Sequence, residues 1–260
     1  MRTLRGFVLF AAMSTLLVAS EAQAQITRID LEVVESPALG GRSFGEVGTY
    51  ERLRGRFYGE VDPADSRHRG IVNLEHAPLN ANGRVEYSTT VEIYRPVDMR
   101  RWNRALYHTV PNRGGAGAAE VALLEMGFAL VRVGWQGDLT GTETNIVPFL
   151  PVARNADGTS IVGRALEEFI FNDSERVSSA RLSYEAASLV PEHAKLTVRR
   201  NLADPRSTPS DLTWSYSHAG EIRIQRPSGF DGGAIYEFVY EAKDPIVMGL
   251  GFAAVRDAIS

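Results

Sequence analysis

Apolar and polar residues alternate through much of the chain between Ile26 and Val97. Val85, Tyr87, Val91 and Ile93 fall on one face of an extended segment, and Glu86, Ser88, Thr90 and Glu92 on the other. A period of two predicts a strand with one buried and one wet face. Leu53, Phe57 and Val61 sit at compatible spacing in residues 50–61, and Asn80-Ala-Asn-Gly83 supplies turn chemistry ahead of the Val85 strand. Residues 25–100 are therefore expected to form a small antiparallel sheet, a β-rich lead-in.

Past Ala105 the pattern changes. A short strand over 105–110 runs into Pro111-Asn-Arg-Gly-Gly-Ala-Gly117, a helix is predicted over 118–126, and Gly127 closes it. The segment 128–135 is almost continuously apolar, as in a strand covered on both faces of a mainly parallel sheet. Together these predict a βαβ unit. Residues 139–233 carry strand-like runs at 161–171 and 194–199 and a proline-rich loop at 201–211, and are expected to be an insertion. A strand over 234–240 then leads to a helix whose Val247, Leu250, Gly251, Ala254 and Val255 form one apolar stripe. That helix stops with no C-cap glycine and no evident cover for its stripe, so the chain is expected to be truncated.

The first 24 residues change the compartment. Arg2 and Arg5 precede an apolar run over 6–19 that ends in Ala22-Gln23-Ala24, the layout of a cleavable signal peptide cut after Ala24. The run is about 14 residues, short of the ~20 that span a bilayer. A periplasmic or secreted protein without a membrane partner is expected after cleavage. The chain has no cysteine, which excludes disulfides and thiolate chemistry. A net charge of −4 without Lys/Arg runs argues against nucleic acid as a partner.

Candidate chemistry is sparse. The histidines at 68, 76, 108, 193 and 218 lack H-x-H or H-E-x-x-H spacing, so no metal is expected. His108, beside the glycine-rich loop, suits a supporting role better than that of a general base. Gly41-Arg-Ser43-Phe-Gly45 matches G-x-S-x-G, but a nucleophile elbow needs a buried strand before it and a helix after it, and Ser43 has neither in prospect. Gly115-Ala-Gly117-Ala-Ala-Glu120 with Asp138 only partly matches a dinucleotide fingerprint, since Glu120 would face a pyrophosphate, and no cofactor is expected. Asn112, Arg113, Gly114 and Gly115 remain. A glycine-rich turn between strand and helix exposes backbone N–H groups that can hold an oxyanion, and the same glycines equally suit a plain tight turn.

Gly41-Arg-Ser-Phe-Gly-Glu-Val-Gly-Thr-Tyr-Glu-Arg-Leu-Arg-Gly55, Pro111-Asn-Arg-Gly114, Gly134-Trp-Gln-Gly-Asp138, Tyr240-Glu-Ala-Lys-Asp-Pro245 and Gly249-Leu-Gly-Phe-Ala-Ala-Val-Arg-Asp257 together resemble a family of exported bacterial α/β-hydrolase domain-containing proteins. The resemblance implies an α/β fold: the β-rich lead-in, then over 101–260 the first half of an α/β-hydrolase-type sheet with an insertion at 139–233. It implies an esterase-like activity on a small-molecule ester, with Asn112, Arg113, Gly114 and Gly115 as the oxyanion loop and the serine, acid and histidine beyond Ser260. This chain alone would then be inactive. The alternative is a non-catalytic exported binding module.

Overall fold

The computed structural model describes residues 25–115, 117–230 and 232–260, so the leader expected at 1–24 lies outside the described residues. The first sheet is built from β1 (Ile26–Glu35), β2 (Tyr50–Val61), β3 (Val85–Pro96) and β4 (Leu106–Thr109), then, after the one-turn helix α1 (Val121–Glu125), from β5 (Ala129–Val133) and the two-residue β6 (Pro148–Phe149). The strand order is β1-β2-β3-β5-β4, with β6 pairing against β3. All pairings are antiparallel except β4 with β5, which are parallel and enclose α1. The β2–β3 ladder runs unbroken from Tyr50↔Pro96 to Val61↔Val85 and forms the spine of the sheet.

A second body follows. Strands β7 (Val162–Ile170), β8 (Val177–Arg181), β9 (Lys195–Arg199), β10 (Thr213–His218), β11 (Glu221–Gln225) and β12 (Ile235–Lys243) form two three-stranded antiparallel sheets, ordered β10-β11-β8 and β7-β12-β9. Ile222 and Ile224 of the first sheet and Leu196, Val198, Tyr236, Phe238 and Tyr240 of the second share one buried cluster. Trp214 meets Phe238 edge-on at 4.7 Å between ring centroids, a favoured aromatic geometry. The chain ends in α2 (Leu250–Ile259).

The expected α/β class is corrected by this architecture. Among the described residues there are twelve strands in three sheets and two α-helices of five and ten residues. It is a β-rich protein, not an α/β-hydrolase-type sheet layered with helices. The local βαβ pattern at 105–135 is present, yet its helix starts at Val121, three residues later than expected, and its parallel pair is a single exception in an antiparallel sheet. The strand over 235–243 is the centre of the second body, between β7 and β9.

The last helix is also not bare. Leu250, Ala253 and Ala254 pack with Val61, Val85 and Tyr87 of the first sheet and with Leu74. Gly251 lies so close to the sheet that a Cβ there would stand 1.9 Å from the Trp135 carbonyl oxygen. Tyr87 donates its hydroxyl proton to Asp257 Oδ2 at 2.5 Å, and Arg256 holds Oδ1 at 2.7 Å. Arg256 also faces Nε2 of buried His68 at 3.4 Å. An arginine can only donate, so Nε2 accepts and Nδ1 donates to the Asp62 carbonyl at 2.9 Å.

Candidate functional site

Strand β4 delivers Pro111 and the Asn112–Gly114 turn at its carboxyl end. Arg113 (φ 52°) and Gly114 (φ 71°) are both left-handed, which reverses the chain sharply. For Gly114 this conformation carries no steric penalty, and its buried position adds a second reason for glycine: a Cβ would come within 3.3 Å of Val147. The Gly114 carbonyl accepts the Ile146 N–H at 3.0 Å, tying the turn to the segment beside β6.

The loop after β5 braces the turn from the other side. Trp135 Nε1 donates to the Pro111 carbonyl at 3.1 Å, and Gln136 Oε1 accepts the Arg113 N–H at 2.5 Å. The Arg113 guanidinium forms an ion pair with Asp138. Two of the four expected donors are therefore occupied, since the Gly115 N–H bonds the Asn112 carbonyl at 3.2 Å. Asn112, Arg113 and Gly115 are exposed and Gly114 is buried. The helix dipole contributes little here, because α1 is a single turn that begins seven residues after Gly114.

Beneath these loops lies a charge cluster that the sequence pattern did not expose. Arg54↔Glu92 and Glu92↔Arg132 are cross-strand partners, so all three side chains project from one face. Glu92, only 1% exposed, receives Arg132 at 2.8 Å, Arg52 at 3.4 Å and Arg54 at 3.8 Å. The arginines then reach out to the loops: Arg132 donates to the Ala118 carbonyl at 2.9 Å, and Arg54 to the Thr144 and Asn145 carbonyls at 3.2 and 2.7 Å. One buried carboxylate thus positions the cations that hold both segments flanking the Asn112–Gly115 turn. Glu92 was expected on the wet face of β3. Its burial was not legible because the cover comes from β2, β5 and distant loops.

Of the other singled-out residues, Asp138 and Glu120 lie at this site, and Ser43 and His108 have no contact with the turn. Ser43 is exposed in a loop between two 3₁₀ turns, without the strand and helix of an elbow. His108 sits half-buried on β4 with Nε2 unpartnered, and burial pushes its pKa below the usual histidine value, keeping the ring neutral at pH 7. Asp138 pairs with Arg113, and Glu120 lines a shallow cavity of about 170 Å³ with Tyr107, Thr109 and Arg132. Among the described residues no group of three or more His, Asp or Glu is gathered as a metal centre would need, and no helix is long and apolar enough to cross a membrane.

No protein-family model matches the chain, and no curated protein matches it. The chemistry of the site itself therefore carries the functional reading.

Proposed function

We propose that this chain is the part of an exported, esterase-like hydrolase that holds the developing oxyanion of a carboxylic ester at the Asn112–Gly115 turn, with nucleophile, acid and base supplied by residues outside it. The observation that carries the reading is position. The turn leaves the carboxyl end of β4 and is braced by the loop leaving the carboxyl end of β5. A glycine-rich turn at the end of a strand can aim backbone N–H groups at one point, which is what a developing oxyanion needs. The sequence resemblance described above points to the same turn. The reading concerns the reaction and does not require an α/β-hydrolase-type sheet.

For an oxyanion to use the Arg113 N–H, Gln136 must swing away, because one amide proton cannot serve two strong acceptors. Preorganised donors of this kind are worth about 10²–10³ in kcat each. The chain alone should leave p-nitrophenyl esters unhydrolysed. A frame continuing past codon 260 should encode a serine with a histidine and a carboxylate to activate it, and the protein made from it should hydrolyse such esters. In that protein Gly114→Val, which forces the turn to move, should lower kcat about 10²-fold with KM nearly unchanged. A stop at codon 261, or full activity in the Gly114 variant, would sink the proposal. The first outcome favours the binding-module reading, which the occupied Arg113 and Gly115 amides also suit.

A further inference from the structure

The β7-β12-β9 sheet does not protect its two borders equally. β9 is shielded on its outer side by the Val198↔Ser207 bridge. β7, at the opposite border, has a strand partner on one side only, and it pairs with that partner, β12, in unbroken register from Val162 to Ile170, with no bulge and no proline. The unpaired backbone N–H and C=O groups along such an edge are a template for another strand. Phe238 and Tyr240 point into the core of the second body, so Glu167 and Ala165 opposite them are on the inner face, and Val162, Arg164, Leu166, Glu168 and Ile170 line the outer one. Val162, Leu166 and Ile170 are 52%, 58% and 51% exposed. Neither the Arg164 nor the Glu168 side chain forms an ion pair or hydrogen bond with another described residue.

The outer row is symmetric about Leu166. Antiparallel pairing of two copies centred on that residue sets Leu166 against Leu166, Arg164 against Glu168 and Val162 against Ile170. Apolar then meets apolar and cation meets anion along the whole row, the cross-strand pairs that stabilise a sheet. The same register sets small against large on the inner face, Gly163 opposite Phe169 and Ala165 opposite Glu167. Gly163 has the room this needs, since a Cβ there would meet nothing within 4 Å. Sliding one copy by two residues, the next register that keeps the faces aligned, sets Leu166 against Arg164 or Glu168 and loses the match.

We propose that two copies of this chain join through β7 about a two-fold axis at Leu166, giving one continuous six-stranded sheet ordered β9-β12-β7-β7-β12-β9. The contact is isologous and occupies the free edge of both copies, so it closes at the dimer. A ladder of nine residues is small beside the ~1,200–2,000 Å² that stable interfaces bury, and the dimer is expected to be weak and concentration-dependent. The surface is independent of the Asn112–Gly115 turn.

Sedimentation equilibrium of the intact protein should give a reversible monomer–dimer equilibrium. Leu166→Lys sets two ammonium groups together at the axis and should weaken the dimer at least about tenfold, with circular dichroism and Tm unaltered because the side chain is exposed. Arg164→Glu and Glu168→Arg each set like charges opposite one another and should each weaken it about tenfold. When these two variants are mixed, one copy carries acids at both positions and the other arginines, and a heterodimer of wild-type strength should form. The double variant, with its charges exchanged, should dimerise like the wild type. Leu106→Lys, on the border strand β4 of the first sheet, should leave this dimer intact and bear only on association beyond it. A protein that stays monomeric at every concentration, a dimer indifferent to Leu166→Lys, or single-charge variants that fail to pair on mixing would overturn the proposal.

Discussion

Glu92 shows how far one side chain can organise its surroundings. It is buried with three arginines, and such a cluster depends on completeness: removing one close partner leaves charge in a dry place, at about 3–5 kcal/mol. Arg132→Met should therefore lower the urea midpoint by an amount equivalent to roughly that energy. Arg52→Met should cost less, because its side chain is one-third exposed and is shared with Glu35 at 3.3 Å. Tyr50 sets a second expectation. Its hydroxyl donates to the Leu124 and Phe128 carbonyls, both at 2.9 Å, and burial pushes its pKa from 10.0 up to about 12. The folded state thus favours the protonated phenol. That stabilisation is complete below pH 10 and is lost as pH rises towards 12, a fall of about 2–3 kcal/mol. Tyr50→Phe should be less stable at pH 8 yet show a shallower alkaline decline in denaturant titrations between pH 9 and 12. Oligomerisation or activity need not change in either case.

At the level of elements, α2 is held by contact closeness and by one buried acid. Gly251→Ala would drive a methyl group into the Trp135 carbonyl, and the helix would have to lift from the sheet. The expected cost is about 1–3 kcal/mol or more, read from thermal unfolding. The apolar stripe of this helix was visible in its spacing, and so was the strand character of β3. Their surroundings were not. Period-two patterning marks Val85 and Val91 as inward, but whether Glu92 meets water depends on arginines forty residues away. The span of α1 was overestimated for a related reason. Alanine-rich residues 118–120 favour a helix, yet Glu120 provides no capping bond and Ala118 is engaged by Arg132. The Asn112–Gly115 turn was legible from its glycines and its place after a strand. Its bracing by Gln136 and Asp138 was not, since both lie across the parallel pair.

At the scale of the whole molecule, the first of the three sheets has unequal borders. β1 closes one side of the first sheet and carries Arg28, Asp30, Glu32 and Glu35, charges that discourage a stranger from pairing there. β4 closes the other with Leu106, Tyr107, His108 and Thr109, and Leu106 is 59% exposed. Uncharged edges of this sort invite edge-to-edge association. Size-exclusion chromatography over a concentration series should show growing self-association, and Leu106→Lys should suppress it. No such change in the variant would place the sticky border elsewhere. The middle position of β12 has a temporal side as well. β7 finds no strand partner, and β9 only the Ser207 bridge, until β12 has been made, and α2 then has to reach back to a tyrosine 170 positions earlier. Long-range closure of this kind slows folding. The stretch 235–257 thus completes both bodies, and the strands it closes stay pliable until it joins them.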